Sequence, residues 1–158
     1  MCYLIKMAQT PEELAALCKT PERLERWVNS LNWLRGVHRS PKTDTRRNPI
    51  VVLHCMEGNS LEIAWLLRDT MHHLGYDCYI ISVHEEGAAS DQVLCTFQKD
   101  KEFWYISNKG IKRTKTNKLE DIPKLLHTPL DNWKEWAVIN GKMRRVKTHT
   151  IDGGNNGR

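Results

Sequence analysis

Residues 60–74 carry the most restrictive pattern in the chain. Leu61, Ile63, Ala64, Leu66, Leu67, Met71 and Leu74 leave little wholly polar surface on a helix of that span. A helix that is apolar on most sides needs neighbours on most sides, so the pattern predicts a central helix from about Ser60 to Leu74. The turn-like Glu57-Gly58-Asn59 precedes it and Gly75 closes it, as a C-terminal glycine commonly does. Three strand-like runs follow, at residues 76–83, 92–98 and 103–107, the last two joined by the short polar hairpin Lys99-Asp100-Lys101. A helix that must be covered, followed by consecutive strands, gives an α+β architecture with an antiparallel sheet of three or more strands.

The helices before and after this block are signalled by one device. Thr10-Pro11, Thr20-Pro21 and Thr128-Pro129 each place a capping hydroxyl ahead of a proline, whose missing N–H costs nothing at the first helical position. Glu13 completes a capping box with Thr10. Leu24, Trp27, Val28, Leu31 and Leu34 recur at helical spacing after Thr20, with Gly36 as the stop. Residues 35–48 read as a basic, polar connector, and residues 50–53 as a short apolar segment. Further on, the pattern predicts a helix at about 119–127, a helix after Pro129 carrying Trp133 and Trp136, and a last strand at about 143–151. One domain over residues 1–152 with a frayed tail at 153–158 accounts for the whole chain.

Composition excludes several classes. With 40% hydrophobic and 27% charged residues in 158 positions, the chain is globular rather than disordered. Its longest apolar run, Ile50 to Leu53, is far too short to span a bilayer, and the N-terminus lacks the pattern of a secretory signal. The five cysteines show no Cys-x-x-Cys spacing. They read as reduced, mostly buried thiols, which points to the cytoplasm. His54, Cys55, His72, His73, Cys78 and His84 show no familiar metal-ligand spacing, so neither a metal nor another cofactor is expected.

Charge is uneven. Residues 109–158 hold 12 basic and 5 acidic side chains, a net +7, while the preceding residues hold 12 and 14. A lobe of that charge attracts an anionic ligand, nucleotide, acidic protein or nucleic acid, unless it serves only for solubility. The stretch Lys109 to Lys118 contributes five cations and no anion. With Trp104 nearby, Lys112 and Arg113 are candidates for gripping phosphate while an aromatic ring stacks on a base. The bland alternative is a solvated loop beside core tryptophans.

The segment from Gly58 to Tyr79 resembles the nucleophile helix of the transglutaminase-like superfamily, which has a papain-like core. Gly58, Asn59, Ala64, Leu66, Leu67, Gly75 and Tyr76 match its pattern, and Ser60 stands where the family has its cysteine. The resemblance continues through residues 91–97 and 103–108, about fifty residues in all. It implies that Gln92 falls at the family's histidine and Ser107, or Asn108 one residue later, at its aspartate. In such an enzyme a helix N-terminus activates a thiol and stabilises an oxyanion, an imidazole moves the proton, and a carboxylate orients the imidazole. Ser60, Gln92 and Ser107 supply none of these functions, because a glutamine amide accepts no proton near neutral pH and a serine hydroxyl needs a stronger base than a thiol does. The resemblance therefore implies a catalytically inactive relative that acts by binding, through a former cleft framed by Glu57, Asn59, Ser60, Gln92 and Ser107. Short members from bacteria and their phages suggest a regulatory or counter-defence inhibitor.

Other readings of Ser60 stay open. It is a helix N-cap, a replacement for a catalytic cysteine, or a serine nucleophile served by His54 or His84. In a further reading Cys55 is a displaced nucleophile, and the chain is an active amide hydrolase or acyltransferase.

Overall fold

The computed structural model describes residues 8–34, 47–85, 92–126 and 130–150. Two short helices, α1 (Pro11–Cys18) and α2 (Pro21–Val28), open it. The Thr10 hydroxyl accepts from the Glu13 amide at 3.1 Å and the Thr20 hydroxyl from the Arg23 amide at 3.2 Å, as the Thr-Pro device requires. The return bond of the first box runs one residue further upstream, because the Glu13 carboxylate accepts from the Gln9 amide. α2 is shorter than its apolar spacing implies. It ends at Val28, the Ser30 hydroxyl bonds the Trp27 carbonyl at 2.6 Å, and residues Asn32–Trp33 form a short strand, β1. Serine offers the backbone an alternative to the helical ladder. Leu31 is nevertheless buried. Gly36 lies outside the described residues.

The apolar segment at 50–53 belongs to a helix, α3 (Pro49–Cys55), opened by the same device with Asn48 as the cap, its side chain accepting from the Val51 amide at 3.1 Å. Then come β2 (Glu57–Gly58), which pairs in parallel with β1, and the central helix α4 (Ser60–His73). Six strands make the main sheet: β3 (Cys78–Glu85), β4 (Gln92–Lys99), β5 (Glu102–Ser107), β6 (Gly110–Arg113), β7 (Leu130–Ile139) and β8 (Lys142–Thr150). Their order is β6-β5-β4-β3-β7-β8, and every neighbouring pair is antiparallel.

Three expectations need correction. Residues 109–118 are not wholly loop, since β6 pairs with β5 there. The helix at about 119–127 is a single four-residue turn, α5 (Asp121–Lys124). The helix carrying Trp133 and Trp136 is the strand β7. Thr128 and Pro129 lie outside the described residues, but Asn140 and Gly141 connect β7 to β8 with φ of 52° and 72°. Asn-Gly with both residues left-handed is the preferred two-residue hairpin turn. That turn outweighs the three-residue spacing of the two tryptophans.

Alternation along the strands divides two cores. Cys95, Phe97 and Ile106 pack with α1, α2, α3 and α4 in one cluster, and Ile80 and Val93 pack with Leu61, Ala64 and Trp65 of α4 in a second. Ile81, Val83, Leu94, Phe103, Tyr105 and Trp133 face the other way and pack with Ile122 of α5. β4 is thus buried on both faces from Val93 to Phe97, which is why it shows a continuous run rather than alternation. The α+β layout, a helical layer on an antiparallel sheet, is as expected.

Candidate functional site

The N-terminal tip of α4 is where the family pattern places its chemistry. Gly58 sits against the helix so closely that a Cβ there would meet Ile63 Cγ1 at 3.3 Å and the side chains of Glu62 and Val52 at 3.4 Å. Its carbonyl accepts from the Leu34 amide at 2.9 Å, which fixes the chain entering the helix. Asn59, not Ser60, is the cap. Its side chain accepts from the Glu62 amide at 2.9 Å, and the Glu62 carboxylate accepts from the Asn59 amide at 3.0 Å. The sequence signal was present in Asn59-Ser60-Leu61-Glu62, a capping box with asparagine in first place.

Glu62 is buried, and Arg47 answers its charge. The Arg47 amide and guanidinium both donate to Glu62 Oε2, the guanidinium at 3.3 Å, and the guanidinium also lies 3.6 Å from Glu57 Oε1. The hydrogen bond that Arg47 donates to Glu62 holds the guanidinium more firmly protonated than usual. The tip is therefore occupied by a closed ionic and capping network. Sequence reasoning missed both Arg47 and Glu62, since Arg47 lies at the end of what reads as a connector.

Ser60 is the first helical residue and half-buried. Among the described residues its hydroxyl has no hydrogen-bond partner. Gln92 and Ser107 are not brought to it. Gln92 pairs with Val83 at the start of β4 and shares its strand face with Leu94, while Val93, Cys95 and Phe97 take the helix side. Ser107 alternates with Phe103 and Tyr105, which also face away from α4, and its hydroxyl accepts from the Lys109 amide at 3.1 Å. Asn108 lies past the end of β5 and is exposed in a turn. Asp91 lies outside the described residues.

The other candidates are scattered. His54 and Cys55 are exposed in the last turn of α3. The His84 backbone pairs with Asn132 near the end of β3. His72 and His73 are exposed at the far end of α4, about 18 Å from Ser60 at 1.5 Å per residue. Among the described residues no group of three or more His, Cys, Asp or Glu is placed to hold a metal ion. Trp104 is half-buried against the helical core with Lys99 Nζ 5.2 Å from its ring, so that ring is already covered. Lys112 is exposed, whereas Arg113 donates twice to Glu102, the longer bond at 2.9 Å.

The basic C-terminal third also divides. β6, with Lys112 and Arg113, and β8, with Lys142, Arg144, Arg145 and Lys147, form opposite edges of the sheet. At about 4.8 Å per strand they stand roughly 24 Å apart. A cleft of about 170 Å³ lies between Arg68, Cys78, Trp136 and Val146, toward the C-terminal half of α4 rather than its tip.

No family model and no curated protein matches this sequence. Among solved structures, the calcium-bound form of LapG from Legionella pneumophila superposes with a TM-score of 0.54 and 12% identity, covering 96% of this chain and 90% of that one. An EGTA-treated form gives 0.53 at 13% identity, covering 99% and 90%, and a third LapG structure gives 0.51 at 12%, covering 96% and 83%. At such identity the likeness is one of fold. The helical layer, the capped central helix and the antiparallel sheet thus constitute a transglutaminase-like α+β fold.

Proposed function

We propose that this chain acts by binding an acidic protein and performs no acyl transfer, keeping the transglutaminase-like fold without its catalytic constellation. The observation that carries this reading is the state of the helix tip. Glu62 and Arg47 fill it with a closed network, and the aligned Gln92 and Ser107 sit on the strand face turned away from α4. A nucleophile needs a proton acceptor within hydrogen-bond reach. Ser60 has none among the described residues.

The binding surface is the β8 edge. Residues 142–150 contain Lys142, Arg144, Arg145 and Lys147 and no acidic residue, and all four cations are exposed. Among the described residues β8 is the last strand of its sheet and leaves one row of backbone groups for an added strand. An acidic extended segment would satisfy both the row and the charges. Such a role is regulatory or inhibitory, in keeping with the resemblance to short bacterial and phage members. The four described cysteines are free thiols, which fits a cytoplasmic setting.

The test pairs turnover with binding. The purified chain should hydrolyse peptide amides and activated esters no faster than Ser60→Ala. A polyglutamate peptide should bind with an affinity that falls with salt, and reversing Lys142, Arg144, Arg145 and Lys147 to Glu should weaken it about tenfold or more. Stronger binding of a single-stranded oligonucleotide, lost in the same variant, would replace the acidic protein with nucleic acid. Turnover abolished in Ser60→Ala, or binding indifferent to the four reversals, would overturn the reading.

A further inference from the structure

The cations of β8 do not all take one face of the sheet. In the β7–β8 ladder Arg144 stands opposite Ala137 and Lys142 opposite Ile139, and past a register shift Lys147 stands opposite Glu135. Glu135 in turn lies opposite Ile81, which packs on the sheet face covered by α5. Side chains alternate along a strand, so Lys142, Arg144 and Lys147 share that face. Arg145 stands opposite Trp136, which packs with the cluster beneath α4, so it takes the other face. One residue beyond the Ile80–Trp136 pair, the same register brings Tyr79 level with Ala137. The Tyr79 ring lies edge-on to Phe103 at 6.1 Å, which puts it on the α5 face, yet it is 45% exposed. Three strands thus align a row of Tyr79, the small Ala137 and Arg144, with about 10 Å between the outer two backbones. Ile139, also exposed, adjoins the row on the same face.

We propose that this row seats one aromatic side chain of an acidic partner segment, which reaches past the β8 edge onto the α5 face of the sheet. The inference rests on the binding reading above and adds what the segment must carry besides its acids. The ring lies over the Ala137 methyl, the smallest side chain of the row. Tyr79 meets it from one side as an aromatic neighbour, and the Arg144 guanidinium lies against it from the other. Acidic residues before and after the ring then face Lys142 and Lys147, and Arg145 is left out because it points to the other side of the sheet. Charge complementarity alone fits nucleic acid as well, but the aromatic count does not. Among the described Trp, Tyr and Phe side chains only Tyr79 is exposed. A single ring suits one aromatic residue of a peptide, whereas a nucleic-acid strand is held by stacking successive bases on several.

The test uses two fluorescein-labelled peptides, each a run of glutamates interrupted at its centre by tryptophan or by alanine, titrated with the full chain and read by anisotropy. The tryptophan peptide should bind about fivefold or more tightly than the alanine peptide. Tyr79→Ala should bring the two peptides to the same affinity. Ala137→Leu, which fills the seat and keeps Tyr79, should do the same and covers the case of a Tyr79 variant that fails to fold. Arg144→Glu should weaken the tryptophan peptide more than Arg145→Glu does. Equal binding of the two peptides by the native chain, a preference that survives both variants, or equal losses from Arg144→Glu and Arg145→Glu would sink the inference, while salt-sensitive binding of the alanine peptide would leave the broader reading standing. Failure of both peptides to bind would sink the two together. Single-stranded DNA bound more tightly than the tryptophan peptide, and weakened by Tyr79→Ala, would give the seat to a base and count against the inference as well.

Discussion

Glu62 decides more about this molecule than the serine two residues before it. A buried carboxylate that accepts the cap amide and both the amide and the guanidinium of Arg47 leaves three donors unsatisfied when it is removed. Glu62→Ala should therefore destabilise the chain by about 2–4 kcal/mol in chemical denaturation, whereas Ser60→Ala should be nearly neutral. Gly58→Ala should cost about 1–3 kcal/mol, because the new methyl meets three packed side chains within 3.4 Å. Cys18 gives a pH signature. Burial pushes its thiol from 9.0 to about 11, against a smaller opposing pull from Arg23. With the folded value raised, this contribution is fully present below pH 9, where the unfolded thiol is still protonated. It is lost as pH rises from 9 to 11, on the order of 2 kcal/mol. Cys18→Ala should be less stable at neutral pH but show a flatter alkaline limb. At this scale the caps at Thr10 and Thr20 were legible in the sequence because capping is local. The partnership of Arg47 with Glu62 was not, since it joins residues fifteen apart through space.

Elements announced themselves in proportion to the strength of their local chemistry. α4 was legible because its apolar residues cover nearly every side, and β3, β4 and β5 because β-branched and aromatic residues run between turn signals. Two-residue turns set the rest. Asp100 and Lys101 join β4 to β5 with φ of 55° and 65°, a conformation that suits Asp better than Lys. Lys101→Gly should thus stabilise the hairpin by up to about 1 kcal/mol, and Gly141→Val at the β7–β8 turn should cost about 1–2 kcal/mol. Both are readable as shifts in melting temperature. The β7 strand was missed because Trp133 and Trp136 also fit a helix, and only Asn140-Gly141 disambiguates them. Strand parity was the deeper loss. Spacing alone does not say which face Gln92 and Ser107 take, since a shift of one residue turns a side chain to the other face of a sheet.

Across the whole molecule, the sequence carried the architecture better than the surface. A helical layer on an antiparallel sheet follows from periodicity, and superposition on LapG shows the same fold at 12% identity. The charge of the C-terminal third was equally plain as a sum, yet a sum does not say where strands lie. β6 and β8 take that charge to opposite edges, so the two clusters cannot grip one short ligand together. Function then rests on whether the tip of α4 is chemically silent. The most direct measurement is intact mass after incubation with a fluorophosphonate probe and, separately, a haloacetamide, each followed by peptide mapping. The account predicts no phosphonylation of Ser60, and haloacetamide on exposed Cys55 at no more than the rate of a free thiol. Stoichiometric phosphonylation of Ser60, abolished by His84→Ala, would contradict it.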